Sequence, residues 1–262
     1  MLRQDVVSVP KFRDLQPPNA RCNFVDNVRS ANLESSIDNP VKANRKPVVV
    51  EDIRATHHAR RKEIRARLNQ FRKVWRNGSD EQLWEELVFC IFTAGASARM
   101  GFRAVEAIRP LLLNGEREAM TLALKNAGAH RFPVERPCYI VVTRNYLREH
   151  CGLALRKKLE SFADPIERRD WLAREKQIKG LGYKESSHFL RNIGLFGHAI
   201  LDKHVMSCLL DLNVVDSAKP PATRARYLET EEKLRSFARK IGIDFDELDL
   251  VLWSMKTGEV LK

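Results

Sequence analysis

The chain has 262 residues, enough for one large domain or two small ones. With 44% hydrophobic and 31% charged residues and a mean hydropathy of −0.39, it holds the material of a buried core. No stretch reaches the roughly 18 uninterrupted apolar residues of a membrane span. Its 46 basic and 34 acidic residues leave a net charge of +12, which favours a polyanionic partner, nucleic acid ahead of an anionic membrane surface, and leaves a merely basic soluble protein open.

Residues 1–50 read as an irregular N-terminal extension. Pro10, Pro17, Pro18, Pro40 and Pro47 punctuate a stretch rich in Asn, Ser and Arg without helical period, although Val48, Val49 and Val50 offer it an apolar contact with the body. Arg3, Gln4 and Asp5 interrupt any early apolar run, so the expectation is an intracellular protein without a secretory signal. The five cysteines include no C-x-x-C pair and the seven histidines no H-x-x-x-H, so neither a zinc site nor a cysteine-ligated cluster is expected, and no cofactor.

From residue 51 the signals are helical. Ile64, Leu68, Phe71 and Trp75 recur at helical spacing within 57–75, and Asn77-Gly78 supplies a stop. The other faces carry Arg60, Arg61, Lys62, Arg65, Arg67, Arg72 and Lys73, a solvated surface or a phosphate-contacting one. Ser79 with Gln82 predicts a capping box ahead of a central apolar helix through Leu87, Cys90, Ile91 and Phe92. Further helices are predicted over 98–113, 117–126, 137–150 and 154–162. Tyr139 to Thr143 has strand propensity but no partner with turn chemistry, so the fold is read as all-α with short loops.

The most informative stretch is 164–213. Asp164 and Glu167 predict a capping box with Pro165 at the first helical position, opening a helix toward Ile178. The turn Lys179-Gly180-Leu181-Gly182-Tyr183-Lys184 then leads into a second helix with Phe189, Leu190 and Ile193 on one face, closing at Gly194. Glycines permit a tight turn and close backbone approach, and the free N–H groups at the start of the second helix favour a phosphate. Downstream, Val205, Cys208, Leu209 and Leu212 mark another helix with Asp202 at its start. A final helix over 244–256 carries Phe245, Leu248, Leu252 and Trp253.

The stretch 178–205 resembles the signature of the helix-hairpin-helix glycosylase superfamily: a Gly-x-Gly-x-Lys hairpin, an apolar helix ending in Gly, then an Asp before His-Val. Within it, Lys-Gly-Leu-Gly-Tyr-Lys-Glu-Ser-Ser-His-Phe-Leu-Arg-Asn-Ile-Gly is most similar to the archaeal-type second family of 8-oxoguanine DNA glycosylases. Lys179 departs from the proline many superfamily members carry there, which bears on hairpin rigidity rather than chemistry. The resemblance implies two helical subdomains flanking a DNA-binding cleft. It places a glycosylase domain over 51–262, with the hairpin motif at about 165–194 and the catalytic Asp loop at 195–205.

It also implies a chemistry. Lys184 would attack C1′ of the damaged nucleotide, form a Schiff base and allow β-elimination, which needs a neutral amine favoured by burial and by cations such as Lys203. Asp202 would help deprotonate the nucleophile and stabilise the cationic sugar. Gly180, Gly182 and Tyr183 would bind a DNA phosphate, and Phe132, Trp253 and Lys262 would hold the flipped base. The expected partner is double-stranded DNA containing 8-oxoguanine, met by a cytoplasmic, nucleoid-associated monomer with no membrane contact. Plainer readings stand beside these: Lys184 as a solvated lysine, Asp202 as a helix cap, Phe132 and Trp253 as core, Lys262 as a frayed end. Alternatives for the whole are the same chemistry on another damaged base, or a non-catalytic helix-hairpin-helix DNA-binding protein.

Overall fold

The structure, a computed structural model, describes residues 46–261. The expectations for residues 1–45 and for Lys262 lie outside them. Among the described residues the regular structure is helical, with no strand.

Helix α1 (Val50–Asn77) starts well ahead of His57. Asp52 in its first turn accepts from the Val49 N–H, and Val48 packs into the core with its N–H on Asp211 Oδ2 at 3.2 Å. Ile53, Ile64, Leu68 and Phe71 form its buried face, while Trp75 is only half-buried. Helix α2 (Asp80–Thr93) opens on the Ser79–Gln82 capping box and is buried from Leu87 to Thr93, as a central helix must be.

Helices α3 (Ala98–Ile108), α4 (Arg117–Asn126), α5 (Glu135–Cys151) and α6 (Leu155–Glu160) follow. Tyr139 to Thr143 lies inside α5, where burial of Ile140 and Thr143 against neighbouring helices overrides strand propensity. Helix α3 gives way at Arg109 to a short 3₁₀ turn because Pro110 cannot continue the α ladder.

Helix α7 (Pro165–Arg174) and helix α8 (Tyr183–Asn192) form the hairpin. Asp164 caps α7 through Ile166 N at 2.8 Å. The helix stops short of Ile178 because Glu175 turns extended and its own Oε1 accepts from Gln177 N at 3.0 Å, a local bond that competes with the helix. Helices α9 (Lys203–Asp211), α10 (Arg224–Ile241) and α11 (Phe245–Thr257) complete the order.

Two apolar cores organise these helices. One joins α2 to α6 with the hairpin residues Ile178, Leu181, Phe189, Leu190 and Ile193. The other joins α1, α9, α10 and α11. Burying each Leu, Ile or Phe contributes about 1.5–3 kcal/mol, so each core holds its own helices firmly and the seam between them is where a pocket can open. No described helix is long and apolar enough to cross a membrane.

Candidate active site

The hairpin is built for close approach. Gly180 has φ +79, and a Cβ there would stand 3.0 Å from Tyr139 Cδ2 on α5, so both the backbone angle and the lack of room require glycine. The turn is fastened by Lys179 N donating to Thr143 Oγ1 at 2.8 Å. Gly182 caps α8, with Glu185 Oε2 accepting from its N–H at 3.4 Å. Tyr183 opens the helix, and its hydroxyl donates to Asp170 Oδ1 at 3.1 Å while its ring leans on Tyr227. Its side chain is thus committed inward, which leaves the backbone N–H groups of this first turn for an anion.

One pocket on the seam is lined by Lys184 and His188 from α8, Asp202 at the start of α9, and Asp249 and Trp253 from α11. Arg191 shares it, with Thr93, Ala96 and Ala98 forming the wall on the side of α2 and α3. Lys184 Nζ rests 2.9 Å from Glu185 Oε1 and is partly exposed. Asp202 caps α9 through one oxygen: Oδ1 accepts from both His204 N and Val205 N at 2.8 Å, which leaves Oδ2 outside the cap. Capping and pocket lining coincide in one carboxylate.

Two charged residues that the sequence reading passed over also meet here. Arg191 Nη1 donates to Asp249 Oδ2 at 2.5 Å, and both side chains are buried. Burial pushes the Asp249 carboxyl up to about 6; Arg191 pulls against that shift and Asp202 adds to it. The signal for Asp249 was a single charge inside an apolar run, Leu248-Asp249-Leu250-Val251, and that for Arg191 a charge next to the apolar pair Phe189-Leu190. Lys203, expected as the cationic neighbour of Lys184, does not line the pocket. It opens α9 immediately after the Asp202 cap and is exposed. Arg191 lines the pocket beside Lys184.

A family model described as 8-oxoguanine DNA glycosylase matches residues 64–243, which contain the hairpin, Lys184, Asp202 and the whole of α9. The chain belongs to the 8-oxoguanine DNA glycosylase family. Its family relatives come from archaea and bacteria. The 8-oxoguanine DNA glycosylase/AP lyase of Korarchaeum cryptofilum is 39% identical over 214 residues, 82% of this chain and 98% of that protein. The protein of the same description from Methanocaldococcus jannaschii is 39% identical over 199 residues, 76% of this chain and 91% of its own. In solved structures, the M. jannaschii 8-oxoguanine glycosylase/lyase in complex with 15mer DNA containing 8-oxoguanine matches with a TM-score of 0.74 at 36% identity, covering 81% of this chain and 99% of that one. The Thermotoga maritima 8-oxoguanine DNA glycosylase matches with a TM-score of 0.73 at 32% identity, covering 81% and 98%.

For a glycosylase of this family, the base-recognition candidates are placed unequally. Trp253 lines the pocket with Lys184 and Asp202. Phe132 does not: it lies between the guanidinium groups of Arg131 and Arg136, 4.6 and 5.2 Å from its ring centroid. Arg136 in turn donates to the Ala94 carbonyl at 2.6 Å, so this cationic and aromatic group adjoins the turn leading to Ala96.

Proposed function

We propose that this family member removes 8-oxoguanine from duplex DNA and then nicks the strand at the abasic site, with Lys184 as the nucleophile and Asp202 as its acid–base partner. The observation that carries the reading is the meeting of Lys184 and Asp202, from separate helices, in one pocket with Trp253. In the first step Lys184 Nζ, as a neutral amine, forms a bond to C1′ while the C1′–N bond to the base breaks, and the departing base takes up a proton. Asp202 stabilises the positive charge that builds on the sugar and accepts a proton from the amine. The C1′–O4′ bond of the sugar then breaks, O4′ taking up a proton, to give the Schiff base; this acidifies the C2′ position, and loss of that proton breaks the C3′–O bond, expels the 3′ phosphate and severs the strand.

The backbone of Gly180, Gly182 and Tyr183 serves a phosphate, and Trp253 provides a stacking face for the flipped base. In this reading the protein works as a monomer on nucleoid DNA in the cytoplasm.

Borohydride trapping on duplex DNA containing 8-oxoguanine tests the chemistry directly. Wild type should give a covalent adduct, Lys184→Gln should give none while still binding the duplex, and Asp202→Asn should react far more slowly without unfolding. Absence of a wild-type adduct, or full speed in Asp202→Asn, would overturn the mechanism. Phe132→Ala and loss of Lys262 are read on the same gel: a role in base recognition lowers reaction on 8-oxoguanine more than on a preformed abasic site.

A further inference from the structure

The segment Ala199-Ile200-Leu201, which leads into Asp202, has no regular secondary structure, yet each of its N–H groups is bonded to a side chain from α10 or α11. Ala199 N donates to Glu231 Oε2 at 2.7 Å, Ile200 N to Asp249 Oδ1 at 3.3 Å and Leu201 N to the Tyr227 hydroxyl at 3.2 Å. The same hydroxyl donates to the Ala199 carbonyl at 2.8 Å. Tyr227 and Glu231 stand one turn apart on α10 and so share a face.

Glu231 is gripped in turn by the fully buried Arg169, at 2.6 and 3.1 Å, and Arg169 also donates to Ser187 Oγ at 3.2 Å. Arg169 belongs to α7 and Ser187 to α8. A continuous series of bonds therefore runs from both helices of the hairpin bearing Lys184, through Glu231, to the backbone just before Asp202, and Tyr227 closes it on the far side.

We infer that Tyr227 is a positioning residue for the glycosylase reaction: its hydroxyl, with Glu231 and Arg169, sets where α9 begins and so fixes Asp202 relative to Lys184. This rests on the reading of Lys184 and Asp202 as the reacting pair. Packing accounts for the Tyr227 ring, which lies against Tyr183. It does not account for the hydroxyl, because phenylalanine would fill the same space and a buried hydroxyl is costly unless bonded. Burial holds the phenol above its ordinary range, so it remains protonated and can donate to Ala199 while accepting from Leu201. The cap fixes Asp202 only within its own helix; the latch fixes the helix start within the fold.

Tyr227→Phe in the full chain tests this, since it keeps the ring and removes only the bridge. The single-turnover rate of base excision should fall roughly tenfold, because small misplacements of a catalytic group are expensive. Affinity for duplex carrying an uncleavable abasic-site analogue should stay unchanged, and amide hydrogen exchange at Leu201, His204 and Val205 should quicken. Wild type and Asp202→Asn are run alongside. If both controls behave as the proposed function requires and Tyr227→Phe reacts at the wild-type rate, or loses rate only through lost binding, the inference is overturned. If wild type forms no adduct, the proposed function fails instead. Exchange then decides the latch by itself: faster exchange at those amides supports it and unchanged exchange refutes it.

Discussion

Arg191 on α8 and Asp249 on α11 meet at 2.5 Å in the wall of the pocket that holds Lys184 and Asp202, and so tie the hairpin's core to the second core. Both charges are buried, so neither tolerates losing the other. Arg191→Met should cost about 3–5 kcal/mol in urea denaturation, because it leaves a carboxylate without its counter-charge. Adding Asp249→Leu should recover part of that loss. Recovery remains incomplete because Ile200 N then lacks its acceptor, at about 1–3 kcal/mol. A single variant as stable as wild type would contradict this account.

Acid should act on the loop before Asp202 through His198. Its ring is buried, its Nε2 has no partner, and burial together with Arg169, Arg168 and Arg235 pushes its pKa down to about 3 from 6.5. The native state therefore binds fewer protons than the unfolded chain. The contribution is fully present above about pH 6.5 and is lost as pH falls toward 3, at up to about 1.4 kcal/mol per pH unit. His198→Phe should flatten the stability curve between pH 6.5 and 4; parallel curves for the two proteins would refute the assignment.

Gly194 and Gly197 share φ +88 but differ in surroundings. A Cβ on Gly194 would stand 2.6 Å from Phe71 O and 2.9 Å from Arg72 Cα, both backbone of α1, whereas one on Gly197 would meet nothing within 4 Å. Gly197→Ala should cost only the strain of the left-handed angle, about 1–3 kcal/mol. Gly194→Ala must also displace α1 and should lower Tm distinctly further. Equal losses would mean that α1 yields freely.

The basic surplus should show as a steep salt dependence for undamaged duplex, with unequal contributions. Arg65 pairs with Glu247 at 2.6 Å, and Arg60 and Arg67 donate to the carbonyls of Gly258 and Val260, so these α1 charges hold the C-terminal segment. Arg65→Ala should lower stability and leave the slope of log K against log salt unchanged. Lys179→Ala, at the exposed hairpin turn, should reduce that slope by about one. The opposite pattern would place α1 on the DNA.

The hairpin was legible because its signals are local. Gly180, Pro165 and Asp164 each dictate a conformation within a few residues, and the structure puts each where that conformation is needed, whereas Gly182 is extended, as any residue could be. Arg191 and Asp249 were not legible as a pair. They are 58 residues apart, and nothing within either helix specifies the other as its partner. Lys203, the cation the sequence suggested, is exposed and does not line the pocket, because adjacency in sequence to Asp202 does not by itself bring a side chain to the same site.

By itself the sequence determined the helical class, the glycine turn, the Asp202 cap and, through the hairpin motif, the family and the kind of reaction to expect. Those properties depend on backbone angles, short-range hydrogen bonds and periodic apolar faces, all written within a turn or two of chain. Only the tertiary structure decided that Lys184, Asp202 and Trp253 share a pocket, that Arg191 and Asp249 pair in its wall, and that Tyr227 and Glu231 grip the segment before Asp202. Such meetings depend on how two apolar cores pack against each other, which no local stretch of sequence encodes.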